Sequence, residues 1–174
     1  MLGPTHRAFG FAASTAVLVL TREHLPAYEN PSMMTTGMAL IVTQAAAILS
    51  STLPDIDQKL GMRHRGITHA VWIPCIFGVL SVLWREDPVR FSLVFGILLG
   101  WFFHLFGDAF SKAGVAWFYP FQTYQHHGSG AFYVKGNRGL FRPLYSVGDP
   151  AFSFLPALWW IAGILLTILL WGRI

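Results

Sequence analysis

The chain has 174 residues, of which 54% are hydrophobic and 16% aromatic, and its mean hydropathy is +0.52. Only 11% of the residues are charged, whereas a soluble domain usually carries about 25%, so the composition excludes an ordinary soluble domain. The net charge is +4, and the single cysteine, Cys75, excludes an intrachain disulfide. We expect no nucleic-acid partner.

Five apolar runs that are nearly free of charge follow one another along the chain. They cover residues 8–20, 33–53, 67–84, 91–110 and 152–171. A helix needs roughly 20 apolar residues to cross about 30 Å of hydrocarbon, and four of the runs meet or approach that length. The first run has the length of a signal-peptide core, but only one positive residue precedes it and a poor cleavage site follows, which favours an uncleaved helix. The sequence predicts an all-α integral membrane protein, a single membrane domain with about five transmembrane helices and a long loop over 111–151.

The distribution of positive charge predicts how these helices are oriented. Threading them across a bilayer assigns eight of the twelve Lys and Arg residues to the side of the N-terminus and the other four to the opposite side. Positive charge in short loops is retained in the cytoplasm. We therefore expect a multi-pass protein whose N-terminus is cytoplasmic.

The same threading brings histidines and aspartates to the cytoplasmic ends of four consecutive helices. The residues concerned are His6, Asp55, Asp57, His64, His69, His104 and Asp108. His104 and Asp108 are four apart and share one helix face. They can form a hydrogen-bonded contact between helices or bind a metal, and the cost of ionisable groups at membrane depth favours metal binding.

The other members of this set also have ordinary interpretations. Asp55 and Asp57 follow Pro54, where an acidic turn is common after a helix, although divalent cations use such carboxylates. Thr68 is placed to cap the third helix, which leaves a neutral His69 in its first turn, where the helix dipole disfavours a cation. His6 follows a threonine in the same way, or else belongs to a disordered terminus.

Arg63 and Arg65 flank His64. The retention of positive charge in the cytoplasm explains most basic residues of the chain, but arginine also suits phosphate recognition. His126 and His127, in the predicted long loop, are possible additional ligands, although Gly-rich polar loops are usually only flexible. The sequence contains no nucleotide-binding glycine fingerprint, no Gly-x-Ser-x-Gly elbow and no cysteine pair.

The segments "PTHRAFG", "LPDID", "HRGITHA" and "HLFGD", in this order, resemble the bacterial inner-membrane metal-dependent hydrolase family, which includes LexA-regulated members and was formerly a domain of unknown function. The resemblance covers roughly residues 3–115. It implies a bacterial inner-membrane location, divalent-metal binding and hydrolysis, with all seven His and Asp residues named above as metal ligands. The His-x-x-Gly-Asp segment is also similar to one in zinc-dependent phospholipase C and single-strand nucleases.

The resulting hypothesis is a hydrolase that uses one or two Zn²⁺ or Mn²⁺ ions to activate water. We expect Asp57 to act as general base and Arg65, with Arg63, to bind a phosphate of the substrate. A site at headgroup level favours a lipid, such as a phospholipid, or another small phosphoester as the substrate, with membrane lipids as neighbours. The alternatives are a metal-ion or proton transporter and a non-catalytic scaffold. The sequence does not define the oligomeric state.

Overall fold

The computed structural model describes residues 3–25, 33–62, 64–111, 114–121, 124–126, 132–134 and 150–172. Within these described residues, five helices of twelve residues or more form the architecture, which confirms the all-α expectation and the number of helices. They are α1 (Gly3–Thr21), α2 (Met33–Ser50), α4 (Trp72–Leu83), α5 (Pro88–Ala109) and α6 (Leu155–Trp171). The short helix α3 (Ile56–Lys59) follows α2 through a 3-10 turn at Leu53–Asp55.

A small antiparallel pair of strands, which the sequence did not predict, lies within the expected long loop. Strand β1 (Tyr124–His126) pairs with β2 (Phe132–Val134), with Gln125 opposite Tyr133. The two strands have three residues each, so helices remain the architecture of the described chain.

Two helix starts differ from the apolar runs for identifiable reasons. Helix α5 begins at Pro88 because the Asp87 carboxylate accepts hydrogen bonds from the backbone N–H groups of Val89 and Arg90, which caps the helix. Helix α4 begins only at Trp72, and Thr68 does not cap it. The Thr68 hydroxyl donates to Asp57 Oδ2 at 2.9 Å instead, and residues Ile67–His69 form a 3-10 turn.

The helices pack in pairs, and this packing brings together the helix ends that are predicted to be cytoplasmic. Helix α5 contacts α1, α2 and α4, and α1 also contacts α2 and α6. Helix α2 can approach α5 closely because Gly96 and Gly100 of α5 face its backbone. A Cβ atom at either glycine would overlap a carbonyl oxygen of α2, that of Thr43 or of Ala47.

Buried polar side chains in the middle of the helices satisfy one another. Gln44 of α2 donates through Nε2 to the hydroxyls of Thr15 in α1 and Thr167 in α6, each at 3.0 Å. The Thr15 hydroxyl in turn donates to the Phe11 carbonyl at 2.8 Å. This network joins three helices without leaving Gln44 or Thr15 unpaired.

Several helices present apolar surface to their surroundings. Among the described residues, Thr36–Lys59 and Pro88–Ala109 are long and apolar enough to cross a membrane, and Trp72–Leu83 and Leu155–Trp171 are apolar but shorter. Helix α6 exposes Ile161, Leu165 and Ile168, which lie at helical spacing along one face. Such a face suits contact with lipid.

Candidate metal centre

Four potential ligand atoms meet where α2, α4 and α5 come together. All lie within 4.8 Å of one another. They are Asp55 Oδ1, His69 Nε2, His104 Nε2 and Asp108 Oδ2. Asp55 comes from the turn after α2, His69 from the turn before α4, and His104 and Asp108 from successive turns of α5. The structure thus unites four of the seven predicted His and Asp ligands in one cluster.

The distances between these atoms are close to those of a tetrahedral metal site. The two histidine Nε2 atoms are 3.2 Å apart, and Asp55 Oδ1 lies 3.6 Å from His69 and 3.5 Å from His104. Asp108 Oδ2 lies 3.8 Å and 3.7 Å from the same two atoms. Ligand bonds of about 2.0–2.2 Å in a tetrahedron would separate the ligand atoms by about 3.3–3.6 Å.

Hydrogen bonds on the far side of each imidazole fix which nitrogen faces the cluster. His104 Nδ1 lies 2.7 Å from the Ser51 carbonyl oxygen, which can only accept, so Nδ1 carries a proton. His69 Nδ1 lies 3.0 Å from the Thr68 hydroxyl, whose own proton goes to Asp57, so this Nδ1 also donates. In their neutral forms both histidines therefore direct a lone pair of Nε2 into the cluster.

This arrangement requires a positive charge between the four atoms. Two imidazole lone pairs and two carboxylate oxygens repel one another at 3.2–3.8 Å unless a cation or a proton lies among them. Metal-bound histidines in proteins usually donate their other ring N–H to a carbonyl or carboxylate, as His104 does to Ser51. The donor set and its surroundings therefore suit a metal ion.

The cluster is buried on all sides but one. His69 and His104 have no exposed surface and Asp108 has 1%, whereas the Asp55 side chain is 24% exposed. Any solvent or substrate approach within the described structure is therefore past Asp55.

Asp57 supports the histidines from outside the four-atom cluster. Its Oδ1 lies 3.0 Å from His64 Nδ1, and its Oδ2 accepts from the Arg65 backbone N–H and the Thr68 hydroxyl, both at 2.9 Å. Asp57, His64 and His69 also offer ligand atoms within 4.8 Å of one another. His64, however, is exposed, and its Nδ1 already bonds Asp57.

Arg65 is buried and bonded to the protein. Its guanidinium lies 3.0 Å from Asp108 Oδ2 and donates to the Ser111 hydroxyl at 3.0 Å and the Gly114 carbonyl at 2.7 Å. The sequence predicted that Arg65 binds a phosphate of the substrate. The structure directs this side chain inwards, where it balances the charge of Asp108.

The carboxylates around His69 raise its pKa. Burial alone would lower the pKa of His69, but hydrogen bonds to Asp55 and Asp57 and the charge of Asp108 outweigh it and raise the pKa above its usual value. A proton on His69 can therefore occupy the position that a cation would take. Metal binding at this site must compete with that proton.

His6 lies beside the cluster but outside the group of four. Its ring stacks on that of His104, with centroids 3.8 Å apart, and its Nε2 is 3.3 Å from Asp108 Oδ1. The sequence predicted that His6 lies near the other His and Asp residues, and the structure places it against His104 and Asp108.

Some candidate residues have no counterpart in the described structure, and some supporting ones were not anticipated. Arg63 and His127 lie outside the described residues, and for His126 only the backbone, in β1, is described. Ser51 and Ser111 were missed. Ser51 acts through its backbone carbonyl, which no sequence motif reveals, and Ser111 follows Asp108 by three residues and hydrogen-bonds the Asp108 carbonyl at 2.7 Å.

A comparison with known protein families gives a match over almost the whole chain. No curated protein and no solved structure matches the chain significantly. The profile of the YdjM inner membrane protein family matches residues 1–173, so the family likeness extends well beyond the 3–115 region that the motifs indicated. The match confirms the inner-membrane part of the resemblance and gives the chain a lipid environment. The chain belongs to the YdjM family of bacterial inner membrane proteins.

Proposed function

We propose that the protein is a membrane-embedded, metal-dependent hydrolase that cleaves a lipid-type phosphoester at the cytoplasmic leaflet. The observation that carries this proposal is the cluster of four ligand atoms with both histidine lone pairs directed inwards. Ionisable groups in membrane proteins are costly and usually functional. The position of the cluster at the helix ends favours a substrate that is held at headgroup level.

Mixed nitrogen and oxygen donors suit Zn²⁺ or Mn²⁺ better than Mg²⁺, which prefers oxygen. Such an ion, when bound, lowers the pKa of a coordinated water to about 7 and so supplies hydroxide near neutral pH. In the hydrolysis the water oxygen bonds to phosphorus, the ester P–O bond breaks, and the leaving oxygen takes up a proton. Ser51 and Thr68 keep both histidines in the tautomer that this chemistry needs.

For Asp57 we propose a role other than the general base that the sequence favours, and for Arg65 a role in addition to phosphate binding. Both oxygens of Asp57 interact with protein donors, so we assign it the positioning of His64, Thr68 and the 64–69 turn rather than general-base catalysis. Arg65 offsets the charge of Asp108. Direct contact of Arg65 with a substrate phosphate stays a prediction.

A non-catalytic scaffold is the second candidate. The raised pKa of His69 favours it, because a proton held between His69 and Asp55 would turn the cluster into a polar packing contact. Transport has less support. In the middle of the helices, Gln44 Nε2 donates hydrogen bonds to the hydroxyls of Thr15 and Thr167, and this network joins the helices there.

Metal analysis distinguishes the hydrolase from the scaffold. The purified protein, freed of loosely bound metal, should retain Zn or Mn, and His69→Ala and Asp108→Asn should lose it. His24→Ala, which changes an exposed histidine, serves as the control. The parent and His24→Ala should hydrolyse phosphodiester lipids in mixed micelles, lose turnover with a chelator and regain it with Zn²⁺ or Mn²⁺. A folded protein that retains no metal and does not change with chelator would be a scaffold.

A further inference from the structure

His6 is a buried side chain without a hydrogen-bonding explanation. It is 1% exposed, and within the described part of the chain neither of its ring nitrogens has a hydrogen-bond partner. Its Nε2 lies 3.3 Å from Asp108 Oδ1, but without the alignment of a hydrogen bond. Burying an unsatisfied polar group is costly. The two ring nitrogens of His6 would therefore be satisfied by a bound ligand.

The geometry around Asp108 indicates what that ligand is. The rings of His6 and His104 are stacked, with centroids 3.8 Å apart and planes inclined by only 21°. His6 Nε2 lies 3.3 Å from Oδ1 of the Asp108 carboxylate, and His104 Nε2 lies 3.7 Å from Oδ2 of the same carboxylate. Two stacked imidazoles beside the two oxygens of one carboxylate match a pair of metal ions that share a bridging ligand.

We infer that the protein has a second divalent-metal site, formed by His6 Nε2 and Asp108 Oδ1, adjoining the four-atom cluster and bridged to it by Asp108. The inference rests on the proposed function, because it takes the cluster as the first metal site. Paired metal ions in hydrolases are about 3.5–4 Å apart. The distance of 3.8 Å between the centroids of the two rings falls in that range.

The two sites differ in how much of their coordination the protein fills. The first has four protein donors, so a water binds there only as a fifth ligand. The second has His6 and Asp108, and its remaining positions are left for water and substrate, as in catalytic sites. An ion held by His6 and Asp108 would therefore offer the more open position for the attacking water.

The local charge is consistent with an anionic substrate at a two-ion site. Asp55, Asp57 and Asp108 contribute three negative charges and Arg65 one positive charge, so their ionised forms sum to −2. One divalent ion neutralises this sum and a second makes it +2. An excess of that sign attracts a hydroxide and a phosphoester anion.

The test is the number of metal ions that each variant binds. The detergent-solubilised protein is stripped with a chelator, reloaded with Zn²⁺, freed of excess metal and analysed for zinc per chain. We expect two ions in the parent and one in His6→Phe, which keeps an aromatic ring against His104. His24→Phe should keep both ions. Helix content and elution volume show that each variant is folded.

Reloading with Mn²⁺ provides a second measurement. The parent should give the electron paramagnetic resonance signal of a spin-coupled manganese pair, and His6→Phe that of an isolated ion. One isolated ion in the folded parent, with the same content in His6→Phe, would overturn the second site. If that single-ion protein still turned over phosphoester, the proposed function would stand. No metal in the folded parent would overturn both.

Discussion

Arg65 is buried, although arginine side chains are mostly exposed in proteins. Its side chain is 8% exposed, its guanidinium contacts Asp108, Ser111 and Gly114, and its backbone has a φ of 60°. A left-handed backbone at a residue other than glycine is costly, and the hydrogen bond from its N–H to Asp57 at 2.9 Å helps to hold it.

Replacing Arg65 should therefore destabilise the protein strongly. Arg65→Met leaves the Asp108 carboxylate buried without its counter-charge, and removing one partner of a buried pair costs about 3–5 kcal/mol. The measurement is the unfolding midpoint in detergent, without added metal. Arg90→Met is the control, since it removes an exposed i,i+3 pair with Asp87 that is worth about 0–1 kcal/mol. Equal midpoints for the two variants would show that the buried pair contributes nothing.

Asp57 should tune metal affinity without being a ligand. Asp57→Asn keeps a similar shape but replaces one carboxylate oxygen by an amide donor, which disturbs the hydrogen bonds from Thr68 and His64. Loss of such outer partners typically weakens metal binding about 10–100-fold. A zinc titration against a competing chelator measures it, with Asp87→Asn as the control. Complete loss of binding would instead make Asp57 a direct ligand.

His64 is the histidine of the predicted set that metal binding should tolerate losing. It is exposed, and its ring nitrogens lie 3.0 Å from Asp57 and 3.2 Å from Gln58. We expect His64→Gln to keep the zinc content of the parent, in contrast to His69→Gln. A matching loss of zinc in both variants would move a metal site to the group of Asp57, His64 and His69.

Helix packing depends on a few small residues at the α2–α5 contact. A Cβ atom at Gly100 would overlap the Ala47 carbonyl and the Ser50 hydroxyl, so Gly100→Ala must push the two helices apart. We expect a loss of about 1–3 kcal/mol, seen as a lower unfolding midpoint. The same displacement moves His104 and Asp108 of α5 relative to Asp55, so metal affinity should fall as well.

Gly78 provides the matched control. It lies in α4, and a Cβ atom there would have no neighbour within 4 Å. Gly78→Ala should leave the midpoint unchanged or raise it slightly, because alanine is the better helix former by up to about 1 kcal/mol. Similar losses in both variants would mean that the packing contact is not the cause.

The helices were largely predictable because a helix that crosses a membrane requires a long run of apolar residues. The convergence of His69, His104 and Asp108 was predictable as well, since threading places their helix ends on one side. Which of Asp55 and Asp57 faces the cluster was not, because it depends on the 3-10 turn that joins α2 to α3. The inward direction of Arg65 depends on its unusual backbone conformation, and no spacing rule indicates that.

The length of α5 indicates where the candidate site lies relative to the membrane. Its 22 residues make a rod of about 33 Å, close to the hydrocarbon thickness of about 30 Å. Asp108 lies at its last turn and the Trp84–Asp87 turn precedes its first. We therefore predict that the candidate metal centre and that turn lie near opposite surfaces of the bilayer.

The excess of positive charge on the side of the N-terminus predicts which surface is cytoplasmic. In a Cys75→Ser background, Lys59→Cys marks the end with the metal centre and Glu86→Cys the opposite end, and both positions are exposed. A maleimide that does not cross the inner membrane should label Glu86→Cys in intact cells and label Lys59→Cys only after lysis. Cys75 must be removed first because it is exposed. The reverse pattern would place the metal centre on the periplasmic surface, and the substrate would then have to come from the outer leaflet.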